Sequence, residues 1–499
     1  LSDLQLYKIN ESTLSIQCNE TITRELYSYF SAKMPNAKFH PLVKSGIWDG
    51  ILRFFDIKNN YLAFGLLSEL SVFAKKGGYS IEAKFEKPPE EIALNDFLQF
   101  VESLNIIDGD GNPMEPRDYQ LQAAFDAINK RRLNIKSATA SGKSLILYII
   151  IRYFEQAGKK TILIVPNVSL VEQMYGDFES YGWHLVADKC HMIYSGQQKV
   201  FDCPVIVSTW QSLYKNKSLF KIFDLLVVDE AHTAKGASIK SVGENCINAT
   251  HKIGCSGTYP EYKTPDWFSL VGTLGKIIEY NTYKSLQEAG HIAKLKIYAV
   301  ELQYPTEFKR FVHDNSGGDY AKELDLIHNY AGRNEFLAKM AQNFDGNSLF
   351  LFTKVEKHGK PLYEVFKQVI KDKTILYIDG STDIKDRELY RAMIEKRNDI
   401  VLLASYGTFS VGNNVKNLHH LVFASGYKSM IKVLQSLGRG IRKSAGKKYL
   451  RLYDIVDNLK FRSKVEKISY ENFSMKHFKE RMVIYEKEQF TWKIQTFKI

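Results

Sequence analysis

Apolar runs of strand length recur along the chain, separated by longer amphipathic stretches. Thr161 to Val165, Val205 to Val207 and Leu225 to Val228 form one series, and Leu349 to Thr353, Thr374 to Ile378, Ile400 to Leu403 and His420 to Phe423 form a second. Runs that are apolar throughout, rather than at every other position, belong to strands buried on both faces, so the pattern predicts two parallel sheets covered by helices. Ahead of them, residues 1 to about 88 carry short alternating strands and a helix expected from Glu20 to Ala32. Lys87-Pro88-Pro89-Glu90-Glu91 then reads as a linker, since consecutive prolines stop both helix and sheet pairing. One amphipathic helix opens at Pro116-Arg117-Asp118-Tyr119-Gln120 and runs to about Lys130; another is expected from about Ser474 to Lys487. No apolar run approaches the roughly 20 residues a membrane span requires, and no membrane partner is expected.

Chemistry concentrates at two places in the first series. Ser137-Ala138-Thr139-Ala140-Ser141-Gly142-Lys143-Ser144 precedes the apolar segment Leu145 to Phe154 and has the form of a phosphate-binding loop, with Ser137 where the first glycine usually stands. Such a loop needs close backbone approach, a cation for the β and γ oxygens and a hydroxyl for Mg²⁺, which Gly142, Lys143 and Ser144 supply. At the end of the Leu225 to Val228 run stands Asp229-Glu230-Ala231-His232. Asp229 is placed to hold Mg²⁺, and Glu230 to polarise the water that attacks a γ-phosphate. An Asp-Glu pair can also serve only as a helix N-cap, but a strand leading straight into it favours the catalytic reading. Gln120, upstream of the loop, offers donor and acceptor together and is a candidate reader of the adenine edge; a solvated glutamine is the alternative.

Length and charge add to this picture. At 499 residues the chain exceeds one core and predicts about three or four domains. The net charge of +12 suits a polyanionic partner and equally a basic enzyme. Five scattered cysteines (Cys18, Cys190, Cys203, Cys246 and Cys255) lack paired spacing, so reduced thiols and no zinc are expected.

With Gln120, Gly142-Lys143-Ser144 and Asp229-Glu230-Ala231-His232 in that order, the chain resembles the superfamily 2 nucleic-acid helicases. Val165-Pro166-Asn167, Ser208-Thr209-Trp210-Gln211 and Ser256-Gly257-Thr258 resemble further motifs of that family, and Gln435-Ser436-Leu437-Gly438-Arg439-Gly440-Ile441-Arg442 fits its Q-x-x-G-R-x-x-R motif. The resemblance implies an α/β fold of two tandem RecA-like parallel-sheet lobes, with a small N-terminal α/β domain and a basic, partly helical C-terminal extension. It implies ATP and Mg²⁺ as cofactors. Arg117, Gln120, Thr139, Ser141, Gly142, Lys143 and Ser144 would hold the nucleotide, Ser144 and Asp229 the metal. Lys143, Asp229, Glu230, Gln435, Arg439 and Arg442 would be catalytic, the two arginines as forked guanidinium contacts to the transferring phosphate. Ser256 and Thr258 would couple the ATP site to nucleic acid, and the regions of Asn167, Thr209 and Thr353 and the loop from Ser405 to Gly412 would contact it, although serines and threonines in such loops are also common turn formers. Gly412-Asn413-Asn414 departs from the usual Gly-x-Asp, which leaves coupling through that Asp without a residue to carry it.

Gly46-x-Trp48-Asp49-Gly50, Ala404-Ser405-Tyr406-Gly407 and Val415-Lys416-Asn417-Leu418-His419-His420 look like the UvsW-type recombination helicases of tailed phages, over nearly the whole chain. That resemblance implies ATP-driven remodelling of branched or forked DNA in the cytoplasm of a phage-infected bacterium, through fork regression, branch migration and annealing. Single-stranded DNA-binding or other recombination proteins would be partners. The expected domains are residues 1–88 (accessory, DNA-binding), 89–285 (first lobe), 286–455 (second lobe) and 456–499 (extension). In the first, Lys38, Lys44 and Arg53 either meet phosphates or belong to a packed accessory domain with Trp48 in its core. Lys443 to Ile499 carries 14 Lys/Arg against 7 Asp/Glu, interleaved with Tyr470, Phe473, Phe478, Tyr485, Phe490 and Trp492. These aromatics either stack on bases or pack a helix against the second lobe. An RNA helicase and a nucleotide-gated binding protein are the other readings. A 2′-OH-dependent ATPase would mark the first, and Glu230, Arg439 and Arg442 argue against the second.

Overall fold

The structure, a computed structural model, describes residues 2–86, 91–194, 201–213, 217–233, 236–410, 417–426, 449–462, 469–487 and 489–499. It divides into two compact units, one of Leu1–Ala138 and Gly142–Asn281, the other of Thr282–Ile499 with Thr139–Ser141.

In the first unit, Leu4–Asn10 lies next to the edge of a small five-stranded sheet, antiparallel to Thr13–Gln17 on one side and parallel to the edge strand Ile81–Ala83 on the other. Alternation puts Leu4, Leu6, Leu14 and Ile16 on one face, where helices Glu20–Tyr29 and Leu67–Gly77 cover them with Ile22, Leu26, Leu70 and Phe73. The first of these helices is shorter than the Glu20 to Ala32 expected. It caps at Phe30, and Ser31–Lys33 leaves as a strand paired with Ile51–Arg53. Trp48, in the excursion between those strands, is half-buried rather than a core residue.

The large sheet of this unit has seven parallel strands, in the order Cys190–Ile193, Val205–Thr209, Thr161–Val165, Leu225–Asp229, His251–Ser256, Arg132–Ser137, Lys276–Asn281. The second, third and fourth contain the predicted apolar runs and are buried at every position. Helix Lys143–Gln156 is apolar on all sides and buries Leu145 through Ile151, which keeps the residue at its start fixed. The small sheet's core continues into helix Pro265–Leu274: Phe54 stacks on Phe268 at 4.8 Å, and Phe30 meets the same ring edge-on at 6.2 Å. Gly65 permits this approach, since a Cβ there would fall 2.1 Å from the Val271 carbonyl oxygen. Burying Phe268 fully contributes roughly 2–3 kcal/mol, so the N-terminal domain is bonded to the lobe rather than tethered to it.

The second unit repeats the architecture, with parallel strands in the order Thr374–Ile378, Ile400–Ser405, Ser348–Phe352, His420–Phe423, Tyr449–Asn458, Lys294–Gln303, Thr491–Lys498. Strand Tyr449–Asn458 crosses the expected boundary at 455/456, and Thr491–Lys498 pairs in parallel with Lys294–Gln303, so part of the presumed extension is the edge of the second sheet. Helix Phe473–Lys487 packs on that sheet through the buried Phe478 and Tyr485 and a buried ion pair, Arg481 Nε to Asp454 Oδ2 at 2.8 Å. Of the two readings of the tail aromatics, packing holds for Phe478, Tyr485 and Phe490, all buried. Among the described residues no helix is long and apolar enough to cross a membrane.

Candidate active site

Strand Arg132–Ser137 delivers the chain to the phosphate loop, and helix Lys143–Gln156 begins where the loop ends. Gly142 caps that helix at φ 80°, a left-handed conformation that only glycine adopts freely. A Cβ there would also lie 2.4 Å from Gln120 Nε2. The Gln120 amide is buried against the loop: Nε2 donates to the Gly142 carbonyl at 3.3 Å, and Oε1 accepts the Arg117 backbone N–H at 2.8 Å. It therefore joins the start of its own helix to the loop. Arg117 Nη1 donates to the Tyr119 hydroxyl at 2.8 Å. On the other flank, Asn281 Oδ1 accepts the Ala138 N–H at 2.9 Å, and its Nδ2 donates to Ser137 Oγ at 2.7 Å. Ser137 thus fills the place of the usual glycine as a buried anchor.

Parallel pairing of Leu225–Asp229 with His251–Ser256 brings the acid pair to the same sheet edge as the loop. Lys143 Nζ lies 3.9 Å from Glu230 Oε1, with both side chains largely buried. Glu230 Oε2 is 3.3 Å from His232 Nδ1, which shares a 2.6 Å hydrogen bond with Ser256 Oγ; Ser256 Oγ in turn accepts the Thr258 N–H at 3.2 Å. Lys143, Glu230, His232, Ser256 and Thr258 form one contiguous polar chain. Glu230 itself sits at φ 45°, unusual for a residue with a side chain and a mark of backbone held for a purpose. Burial, and then the Glu230 charge, push the Asp229 carboxyl well above the usual carboxylate range against the pull of Lys143.

These donors fit a magnesium-bound nucleotide. Asp229 Oδ1 is buried with no hydrogen-bond partner. Ser144 Oγ, bonded to the Tyr181 hydroxyl at 2.7 Å, keeps lone pairs for a cation if it donates there. The helix start contributes free N–H groups and a positive dipole end.

The side chains expected to meet nucleic acid have local hydrogen-bond partners. Asn167 caps helix Val168–Ser180 by accepting the Leu170 N–H at 3.0 Å; Thr209 Oγ1 pairs with Ser212 Oγ at 2.9 Å. Ser405 Oγ pairs with Thr408 Oγ1 at 2.7 Å, and Thr353 Oγ1 donates to Ser425 Oγ at 3.3 Å. Short polar side chains at strand ends favour such caps. In the N-terminal domain Arg53 is held by Asp49 and lies 4.9 Å over the Tyr27 ring, whereas Lys38 and Lys44 are exposed. Gly412, Gln435, Arg439 and Arg442 lie outside the described residues. Asn281, Tyr181 and His232 were not among the sequence candidates; only His232, inside Asp229-Glu230-Ala231-His232, carried a local signal.

Comparison with known proteins agrees with this geometry. Residues 3–84 match the family described as DNA helicase UvsW, N-terminal, and residues 113–261 match type III restriction enzyme, res subunit. The ATP-dependent DNA helicase uvsW of Enterobacteria phage T4 is 33% identical over 508 residues, covering 99% of both chains. The crystal structure of T4 UvsW aligns over 99% of both chains with a TM-score of 0.52 and 31% identity. A type ISP restriction-modification enzyme, LlaBIII bound to DNA, covers 78% of this chain and 32% of its own with a TM-score of 0.57; at 15% identity it shows the fold alone. Two parallel sheets, with the phosphate loop and the acid pair on the first, define a superfamily 2 helicase motor. The chain belongs to the UvsW family, whose T4 member is an ATP-dependent DNA helicase.

Proposed function

We propose that this UvsW-family helicase couples ATP hydrolysis to the remodelling of branched or forked DNA (fork regression, branch migration and annealing) in phage recombination and repair, within the host cytoplasm. The observation that carries the reading is that likeness to the T4 helicase extends over 99% of both chains, N-terminal domain included. Residues 1–88 would engage the duplex arms, 89–285 and 286–455 would be the motor lobes, and 456–499 would complete the second.

In this account Gly142 and the helix start bind the phosphates through backbone N–H groups, and Lys143 neutralises the β and γ oxygens. Glu230 orients the attacking water and accepts its proton, while His232 fixes the Glu230 carboxylate and relays its position to Ser256 and Thr258. Gln120 and Arg117 hold the adenine side, with Thr139 and Ser141 completing the loop. Ser144 and Asp229 would hold Mg²⁺, which when bound screens the charge on the β and γ oxygens. Arg439 and Arg442 are assigned the forked contacts to the γ-phosphate, with Gln435 beside them in the catalytic set. Lys38 and Lys44 are assigned to DNA phosphates, with Arg53 positioned by Asp49.

ATPase rates with forked DNA, linear duplex, single-stranded DNA and single-stranded RNA test this directly. Strongest stimulation by forked DNA is expected; strongest stimulation by RNA would overturn it.

A further inference from the structure

The strand that feeds the phosphate loop starts at Arg132, about 20 Å from that loop for six extended residues. Around this starting edge, at the seam between the N-terminal domain and the first large sheet, lies a cavity of about 350 Å³ lined by Lys8, Phe64, Phe85, Arg131, Arg132 and Lys276, among others. Nothing in the ATP-site chemistry uses it, and its volume falls at the lower end of what ligand pockets hold.

Its charges are not balanced. Five cations line it against two carboxylates, Glu11 and the exposed Glu86; Glu11 is taken up by Lys8 and by Arg132, whose Nη2 lies 3.3 Å from Glu11 Oε2, and Lys130 is paired with Asp126 at 2.6 Å. Arg131 and Lys276 have no ion-pair partner among the described residues. The Arg132 side chain is only 10% exposed, yet its Nε is buried with no hydrogen-bond acceptor. Arg131 adopts φ 62°, a conformation rarely adopted outside glycine, asparagine and aspartate. Aromatic surface stands beside the cations: Phe64 and Phe85 have ring centroids 5.9 Å apart, and the Arg132 guanidinium lies 4.4 Å over the Phe64 ring. Guanidinium and ammonium groups next to half-buried rings recognise a phosphate joined to a flat base.

We propose that this seam is a second binding site, distinct from the ATP site, for one nucleotide unit: its phosphate between Arg131 and Lys276, its base against Phe85 and Phe64. The unit comes either from a free mononucleotide or from the 5′-phosphorylated end of a DNA strand. The proposal goes beyond the branched-DNA reading and does not depend on it.

The test uses the full chain without ADP, which would itself compete for the seam; binding at the ATP site, expected to be the same in wild type and variant, is the internal reference. Calorimetric titrations with 5′-dAMP, and with ten-residue deoxyadenosine strands carrying a 5′-phosphate or a 5′-hydroxyl, are run on wild type and on the double variant Arg131→Glu, Lys276→Glu. The expected result is that the double variant loses at least tenfold in affinity for 5′-dAMP, for the phosphorylated strand, or for both. Displacement of 5′-dAMP by the phosphorylated strand but not the hydroxyl strand assigns the site to strand ends; displacement by neither assigns it to free nucleotides. If the double variant melts below wild type, Arg131→Gln with Lys276→Gln replaces it, with a loss of at least fivefold expected. Equal affinity of wild type and variant for every probe, or no discrimination between phosphate and hydroxyl together with no 5′-dAMP binding, overturns the proposal.

Discussion

Asn281 is expected to be as important to the phosphate loop as residues within it, and Asn281→Ala is the perturbation that shows this. The side chain is buried and makes two hydrogen bonds, accepting the Ala138 N–H at 2.9 Å and donating to Ser137 Oγ at 2.7 Å. Truncation leaves the buried Ala138 N–H without its acceptor, at about 1–3 kcal/mol, and removes one hydrogen bond of the buried Ser137 hydroxyl, at about 1 kcal/mol. Allowing for partial relaxation, a loss of about 2–4 kcal/mol in the stability of the first unit is expected. Because Ser137 and Ala138 enter the loop, ATP affinity should also fall by roughly tenfold, which corresponds to 1.4 kcal/mol. Asn281→Asp can still accept from both groups and should recover part of each loss. Urea denaturation followed by fluorescence, with fluorescent ATP-analogue titration, measures both. A stability change under about 0.5 kcal/mol with unchanged nucleotide affinity would refute the reasoning, since the hydrogen bonds would then contribute nothing net.

Lys143→Ala should abolish ATPase activity, because it removes the cation paired with Glu230 at the helix start; near-wild-type turnover in a folded variant would contradict the assignment. Glu230→Gln should still bind Mg-ATP and hydrolyse it orders of magnitude more slowly, as single-turnover kinetics would show. Lys252 is buried, donates to Ser12 Oγ at 2.5 Å and to the Gly243 carbonyl at 3.1 Å, and burial lowers its pKa to about 7. The unfolded chain therefore binds the extra proton between about pH 7 and 10.5, and stability rises with pH across that window. Lys252→Met should raise the melting temperature most at pH 7 or below, and the difference should shrink toward pH 10; a pH-independent difference would mean that the proton linkage is absent. Reversing Lys38 and Lys44 to glutamate should weaken forked-DNA binding and flatten its salt dependence by a slope of up to about 2, measured by anisotropy at several salt concentrations.

The parts legible in the sequence are those whose chemistry is local. Strands Thr161–Val165 and Leu225–Asp229 are buried on both faces and so read as apolar runs. Edge strands did not: Thr491–Lys498 is largely exposed and mixes lysine with aromatics, so it read as a basic tail although it pairs with Lys294–Gln303. Gly142, Lys143 and the Asp229-Glu230 pair declare themselves because phosphate and water chemistry need those residue types in a row. Asn281 does not, since an asparagine at the end of a strand has many uses and its partner Ser137 is 144 positions away. Likewise nothing local marks Lys252 as buried, since its partner Ser12 is 240 positions away. At Thr209 and Ser405 motif position points to nucleic acid and the hydroxyls also make local hydrogen bonds, two roles that one hydroxyl can combine.

The central claim is that ATP hydrolysis at Lys143 and Glu230 drives the movement of a DNA branch. It is tested most directly with a synthetic replication fork of homologous arms, end-labelled and incubated with the full chain. The account predicts conversion to regressed and fully exchanged duplex that requires hydrolysable ATP and is lost in Glu230→Gln while fork binding is retained. Conversion at the same rate without ATP, or by Glu230→Gln, would contradict it.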